Sequence, residues 1–148
     1  MWIKLITPIT PIIYINNVFL LLISFDVKTG NIDNNRISAI AEDDKGNIFI
    51  GTLAGGIFKL NREKWDFESI PRANSPVPLP VKSLFIDNQK QLLIGTDGLG
   101  LKYYNYENNR VEDYQMSSSI FDFSNVKVHS ILQDRRGNLW IGLFQKGV

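Results

Sequence analysis

Cysteine is absent from the 148 residues, which excludes disulfides and any zinc site built on thiolates. Histidine occurs once, at His129, so a single chain cannot assemble a multi-histidine metal centre. Excess charge of one sign is also missing: 16 Lys and Arg stand against 15 Asp and Glu, for a formal net charge of +1. Without clustered cations to face phosphates there is no electrostatic case for a nucleic-acid partner. No segment shows a sustained helical period. What remains is an ordinary globular balance, 44% hydrophobic and 21% charged residues, which argues against disorder over the whole length.

The chain repeats itself. Ile37 to Thr52, Val81 to Thr96 and Val128 to Leu143 align without gaps at shifts of 44 and 47 residues. Asp43, Asp87 and Asp134 coincide, as do Gly51, Gly95 and Gly142, and then Gly56, Gly100 and Gly147. Two glycine columns matched in three copies exceed what glycine's share of about 7% would give by accident.

Each unit reads as strands. Ile37 to Ile40 and Ile48-Phe49-Ile50 are short apolar runs rich in branched and aromatic residues. Between them, Asp43-Asp44-Lys45-Gly46-Asn47 and Asp134-Arg135-Arg136-Gly137-Asn138 have tight-turn composition: the Asp accepts from amides two residues on, and Gly supplies a positive φ. Ile57 to Leu60 gives a third strand and Trp65 to Ser69, alternating at period two, a fourth. Leu101 to Tyr104 and Val111 to Tyr114 repeat them. Four antiparallel strands in about 44 residues is the pattern of a propeller blade. The expected fold is all-β: an incomplete β-propeller of two full four-stranded antiparallel blades plus partial blades. Gly51, Gly95 and Gly142 each follow an apolar triplet, which predicts a close backbone approach that a side chain would crowd.

The pattern V-x-S-I-x-x-D-x-x-G-N-L-W-I-G-T-x-x-G-G-L, clearest in Val128 to Gly142 and Ile37 to Ile57, resembles the two-component regulator propeller repeat, found in the sensor region of Bacteroidetes hybrid two-component systems. The resemblance covers residues 31–148. It implies an extracytoplasmic sensor module, the periplasmic part of an inner-membrane protein. The signal it implies is a glycan or breakdown product, passed to a kinase region elsewhere in the full protein. The second copy departs from the pattern, with Lys90 at the turn glycine and Leu93 at the aromatic, so blade two is expected to have a different hairpin conformation.

By segment, 1–30 is an apolar N-terminal stretch, 31–70 a blade, 71–80 a Pro-rich connection, 81–125 a blade and 126–148 a truncated half blade. Residues 1–30 admit two readings. One is a signal or anchor with Val18 to Phe25 as its apolar core. The other is a degenerate partial blade, in which Ile13-Tyr14-Ile15 and Leu22 to Asp26 are strands. Two and a half blades cannot close a ring, which needs 4–8. The chain is therefore expected to be a piece of a longer sensor or the product of a truncated gene, and to self-associate through open blade edges.

No catalytic residue and no metal ligand is assigned, no cofactor is expected, and the ligand-contact residues lie outside the repeat motif and stay unknown. His129 sits in a strand pattern, unlike the helix-borne phospho-accepting histidine of a kinase. The turns at Leu53 to Gly56 and Asp97 to Gly100 lie between strands and are not nucleotide loops. Asp43 to Asn47 lacks the closing acid of a calcium loop. Glu42, Asp43, Asp97, Glu112 and Asp113 are acids that spacing alone does not pair for glycoside chemistry. Tyr103, Tyr104, Tyr106 and Tyr114, with Trp65 and Phe67, are read as packing between blades or as contact surface, and Trp140 as core. Pro71 to Pro80 reads as a stiff linker. A glycan-sensing module is the leading reading; a propeller lyase or hydrolase and a protein-interaction propeller are the alternatives.

Overall fold

The computed structural model describes residues 4–6, 10–15, 18–21, 36–63, 66–115 and 124–144. Among them there is no helix, and hence none long and apolar enough to cross a membrane. The strands are β1 Lys4–Ile6, β2 Thr10–Ile15, β3 Val18–Leu21, β4 Ile37–Glu42, β5 Ile48–Thr52, β6 Gly56–Asn61, β7 Asp66–Ile70, β8 Val81–Ile86, β9 Leu92–Thr96, β10 Leu101–Asn105, β11 Arg110–Asp113, β12 Lys127–Gln133 and β13 Leu139–Phe144. Strands β1 to β3 form a meander in which Ile15 pairs with Val18. Ile13 to Ile15 fall in β2 as read from the sequence; the following strand is Val18–Leu21, whereas Leu22 to Asp26 lie outside the described residues.

The repeat folds twice into the same four-stranded antiparallel meander, β4-β5-β6-β7 and β8-β9-β10-β11, and a third time into the two-stranded β12-β13. The first strands meet in sequence across the blades, β4 against β8 and β8 against β12. Side chains alternate along a strand, and in the second strand of each unit this alternation decides which neighbour is faced. Leu92 and Ile94 join Phe49, Ile57, Leu79, Val81 and Tyr104 in the core between blades one and two. Leu93, of opposite parity, joins Leu101 and Val128 on the side of the third unit. Each such fully buried side chain contributes about 1.5–3 kcal/mol. The Pro-rich connection is more than a spacer. Its first residues hydrogen-bond along β11 (Ala73 N to Val111 O, 2.9 Å; Val111 N to Pro71 O, 2.9 Å) and Leu79 is buried in the core.

Parity also explains a departure from the sequence reading. Trp140 occupies the column of Phe49 and Leu93, yet it is 62% exposed where those two are fully buried. This column faces the following blade: Phe49 is covered by Tyr104 and Tyr106 and Leu93 by the third unit. No described residue stands beyond β13. Leu139 and Ile141, on the other face, pack against the second blade. Trp140 instead donates its indole N–H to Asp134 Oδ2 at 3.1 Å.

A second correction concerns the hairpin of blade two, which is the same as the others. Asp43, Asp87 and Asp134 each accept backbone N–H bonds at Oδ1 from two and four residues on, all at 2.8–3.0 Å. The amides of Gly46, Lys90 and Gly137 each bond back to the carbonyl of that Asp at 3.0 Å. Lys90 is thereby held at φ 65°, beside 76° for Gly46 and 88° for Gly137. The carboxylate bonds over-determine the turn and outweigh the cost of a left-handed lysine, about 1–2 kcal/mol.

The glycine column is a close approach, as expected. A Cβ on Gly51 would stand 2.8 Å from Val81 Cβ, and one on Gly95 would stand 2.8 Å from the Val128 carbonyl oxygen, distances at which something must shift. Gly95→Ala is expected to destabilise the chain by about 1–3 kcal/mol, read as a lowered denaturant midpoint; an unchanged midpoint would contradict the packing. Lys90→Gly is expected to act in the opposite direction, raising stability by about 1 kcal/mol through relief at positive φ; a loss of stability would show that Lys90 is not strained.

The turn carboxylates give a pH signature. Burial pushes Asp43 up, but bonds from Asn47 and Lys45 outweigh it and hold it below its ordinary value. Bonds from Asn138 and Trp140 bring Asp134 down to about 2. A depressed carboxylate stabilises the fold above its unfolded pKa of about 3.9 and loses that contribution as pH falls through the folded value. The melting temperature should therefore drop between about pH 4 and pH 2, and the double substitution Asp43→Asn with Asp134→Asn should flatten that limb. An equally steep limb in the double variant would mean that other groups carry the acid sensitivity.

Candidate ligand site at the shared ends of the inner strands

In each unit the first strand begins where the second ends, because the two are antiparallel: Ile37 pairs with Thr52, Val81 with Thr96 and Val128 with Leu143. The residues just before the first strand and just after the second therefore lie together. Thr52 and Thr96 lock this end. Each hydroxyl donates to the carbonyl of Gly56 or Gly100, and accepts the amide of Gly55 or Leu99, at 2.6–3.0 Å.

Near the start of each first strand the register slips, between Ile37 and Ala39, Val81 and Ser83, Val128 and Ser130. The extra residues are Ser38, Lys82 and His129, at equivalent repeat positions. A bulge releases its residue from the ladder and re-aims the side chain. Ser38 Oγ donates to the carbonyl of Val81 in the next blade at 2.6 Å and to Gly51 O at 3.1 Å. Lys82 Nζ lies 3.2 Å from Asp97 Oδ2. The His129 ring lies 5.5 Å from that of Phe144. Asp97 and Phe144 are themselves repeat equivalents, so Lys82–Asp97 and His129–Phe144 are one contact made with two chemistries.

Asp97 also reaches across the blade interface, with Lys127 Nζ 2.9 Å from its Oδ1. The backbone ties the same corner: Asp97 bridges to Lys127, and Gly100 N donates to Val126 O at 3.0 Å. The Lys127 ammonium, with help from Lys82, outweighs burial and holds the Asp97 carboxyl below the usual carboxylate range. Two ammoniums thus share a single carboxylate at the rim between blades two and three. The sequence offers Asp97 as a turn residue and as one of five acids that spacing does not pair; the bulge that aims Lys82 has no sequence signal of its own.

The other sequence candidates lie in the strands and in the contacts between blades. Tyr104 and Tyr106 pack on Phe49 across the first interface. Tyr103 and Tyr114 pair edge to face at 6.4 Å and line a cavity of about 800 Å3 with Asp87, Gln91 and Glu112. A cavity of about 610 Å3 lined by Lys59, Glu68 and Ile70 occupies the repeat-equivalent place between blades one and two, closed there by Tyr104, Tyr106 and Asn109 of the second blade. The larger cavity is thus the same inter-blade groove. The acids are each engaged separately: Glu42 faces Arg62 at 3.8 Å, Glu112 accepts from Tyr103, Asn105 and Asn108, and Asp113 pairs with the buried Lys102. No group of three or more metal-ligating side chains gathers among the described residues. His129 is exposed at its bulge. Phe67 lies in β7, and Trp65 falls outside the described residues.

The known proteins similar to this chain share that architecture. The extracellular domain of BT4673 from B. thetaiotaomicron, described in one structure as that of a candidate one-component system, aligns at 28% identity with a TM-score of 0.62. The alignment covers 82% of this chain and 16% of that one. A second structure of that domain, described as belonging to a candidate hybrid two-component system, aligns at 27% identity over the same shares. Virginiamycin B lyase from Staphylococcus aureus, at 16% identity and a TM-score of 0.52, over 73% of this chain and 34% of that one, shares the fold alone. No curated protein matches the sequence. The model of the family described as "Two component regulator propeller" matches residues 31–54 and 122–145. These are the first and third copies; the middle copy, with Lys90 and Leu93, makes the same blade. By repeat, fold and relatives, the chain is similar to the two-component regulator propeller proteins, whose repeat it matches at residues 31–54 and 122–145.

Proposed function

We propose that this chain is the ligand-sensing propeller part of an extracytoplasmic sensor in a hybrid two-component signalling system. Its signal is a glycan or a glycan breakdown product, and the response is made by a kinase region outside this sequence. The observation that carries the reading is the combination of the repeat match with the extracellular sensor domains aligned over 82% of the chain. The arrangement of the repeat supports it. The columns that build the blades keep Asp, Gly and apolar residues. The columns at the shared strand ends change freely, from Ser38 to Lys82 to His129 and from Leu53 to Asp97 to Phe144. A surface of changing chemistry on a constant scaffold suits recognition. A sensing role is supported by the acids being taken up in contacts of the fold, Glu42 with Arg62, Asp97 with Lys82 and Lys127, Asp113 with Lys102, and Glu112 with Tyr103, Asn105 and Asn108.

The test is a panel of oligosaccharides scored for both melting temperature and chemical fate. A sensor is expected to give a concentration-dependent rise with one saccharide class, and the saccharide is recovered intact. Consumption of the saccharide would replace this reading with that of a propeller enzyme.

A further inference from the structure

We propose that Lys82 and Lys127, held on either side of Asp97, seat an anionic group of the sensed saccharide, a carboxylate or a sulfate ester. The inference rests on the sensor reading and gives it a ligand chemistry. An ammonium has three donors, and each lysine ammonium lies within ion-pair distance of one Asp97 oxygen, Lys82 at 3.2 Å and Lys127 at 2.9 Å. Neither side chain is fully buried: Lys82 and Lys127 keep 25% and 42% of their side-chain surface exposed. Among the described residues one carboxylate faces two ammoniums, which leaves this corner a net positive charge at a partly desolvated rim, where a charge acts more strongly than in open water. Lys82 arrives on a bulge, the backbone device that aims a side chain away from the ladder. Lys127 comes from the neighbouring unit, so an anion bridging the two lysines clamps blade two to blade three. Asp97 acts as the internal counter-ion that keeps both lysines extended toward this point, and it competes with the incoming anion.

The single histidine supplies the readout. His129 lies two residues from Lys127 on β12 and at the repeat equivalent of Lys82, and as the single histidine its two ring C–H protons give two assignable NMR signals. The full 148-residue chain is titrated at constant ionic strength with sodium glucuronate, N-acetylglucosamine 6-sulfate, inorganic sulfate and glucose. A saturable shift with glucuronate or with the sulfated sugar is expected, and whichever responds names the anion. Lys82→Gln with Lys127→Gln should weaken that response at least about tenfold, whereas Lys127→Arg should keep it. Asp97→Asn, which removes the competing charge, should strengthen it. An equal response to glucose overturns the anion seat and leaves the sensor reading standing. Saturation by inorganic sulfate alone overturns the saccharide assignment. No saturable response to any anion, or an unchanged response in the double Gln variant, overturns the proposal outright. Consumption of the sugar sinks the sensor reading while leaving the anion seat intact.

Discussion

Everything in this arrangement depends on how closely the second strand of one blade passes the first strand of the next. At Gly51 the space where a Cβ would sit belongs to Val81, and at Gly95 to Val128 and its carbonyl. The absence of a side chain lets two backbones approach at the inner edge. That approach puts Val81 and Val128 into the two cores, brings the Val81 carbonyl within reach of Ser38 and sets Lys127 against Asp97. The polar contacts at the inner rim follow from a steric vacancy at one repeated position. A core at native density cannot absorb an extra methyl without shifting neighbours, and the unit's own first strand crowds the same space in the later copies, with Ser83 Oγ in the way of a Cβ on Gly95 and Ser130 Oγ in the way of one on Gly142.

The fold was legible because the features that specify it are local and repeat. The Asp of the turn is visible in sequence because its carboxylate bonds amides only two and four residues on. Strand order follows from short connections between alternating runs. Parity along Leu92-Leu93-Ile94 divides the two cores without knowledge of any other blade. Where the reading failed, the deciding contact was non-local or redundant. Trp140 looks like core because its column is core twice; its exposure depends on what lies beyond β13, which the motif does not encode. The turn at Lys90 looked different because the glycine is gone, but the carboxylate bonds from Asp87 hold the turn. A glycine in this turn is one of two sufficient causes, and sequence shows only that one was removed.

The candidate site was the least legible part. Lys82, Asp97 and Lys127 are separated by 15 and 30 residues, and nothing in their spacing brings them together. Their meeting needs three things at once: a bulge at the second residue of β8, an antiparallel return that places Asp97 at the same end, and the close approach of the third unit. Only the last is announced by a glycine. The signal that could have found the site is indirect. Aligning the copies and asking which columns refuse to agree leads to positions 38, 82 and 129 and to positions 53, 97 and 144.

That disagreement has a physical basis. A position inside the repeat sees the same neighbours in every copy, so the same residue type suits it each time. At the inner strand ends, backbone bonds between turn and strand already fix the geometry, through Thr52 and Thr96 and the paired carbonyls of Arg36 and Pro80. The side chains there carry little of the fold and are free to differ. One scaffold therefore presents an apolar contact at His129–Phe144 and an ionic one at Lys82–Asp97 without altering a strand. Two such side chains also bear on assembly: Ser38, whose hydroxyl reaches the Val81 carbonyl of the next blade, and Asp97, whose second oxygen reaches Lys127 in the next unit. At Asp97 the chemistry of the rim and the contact between blades are the same interaction, so whatever draws a lysine away from Asp97 also acts on the blade interface.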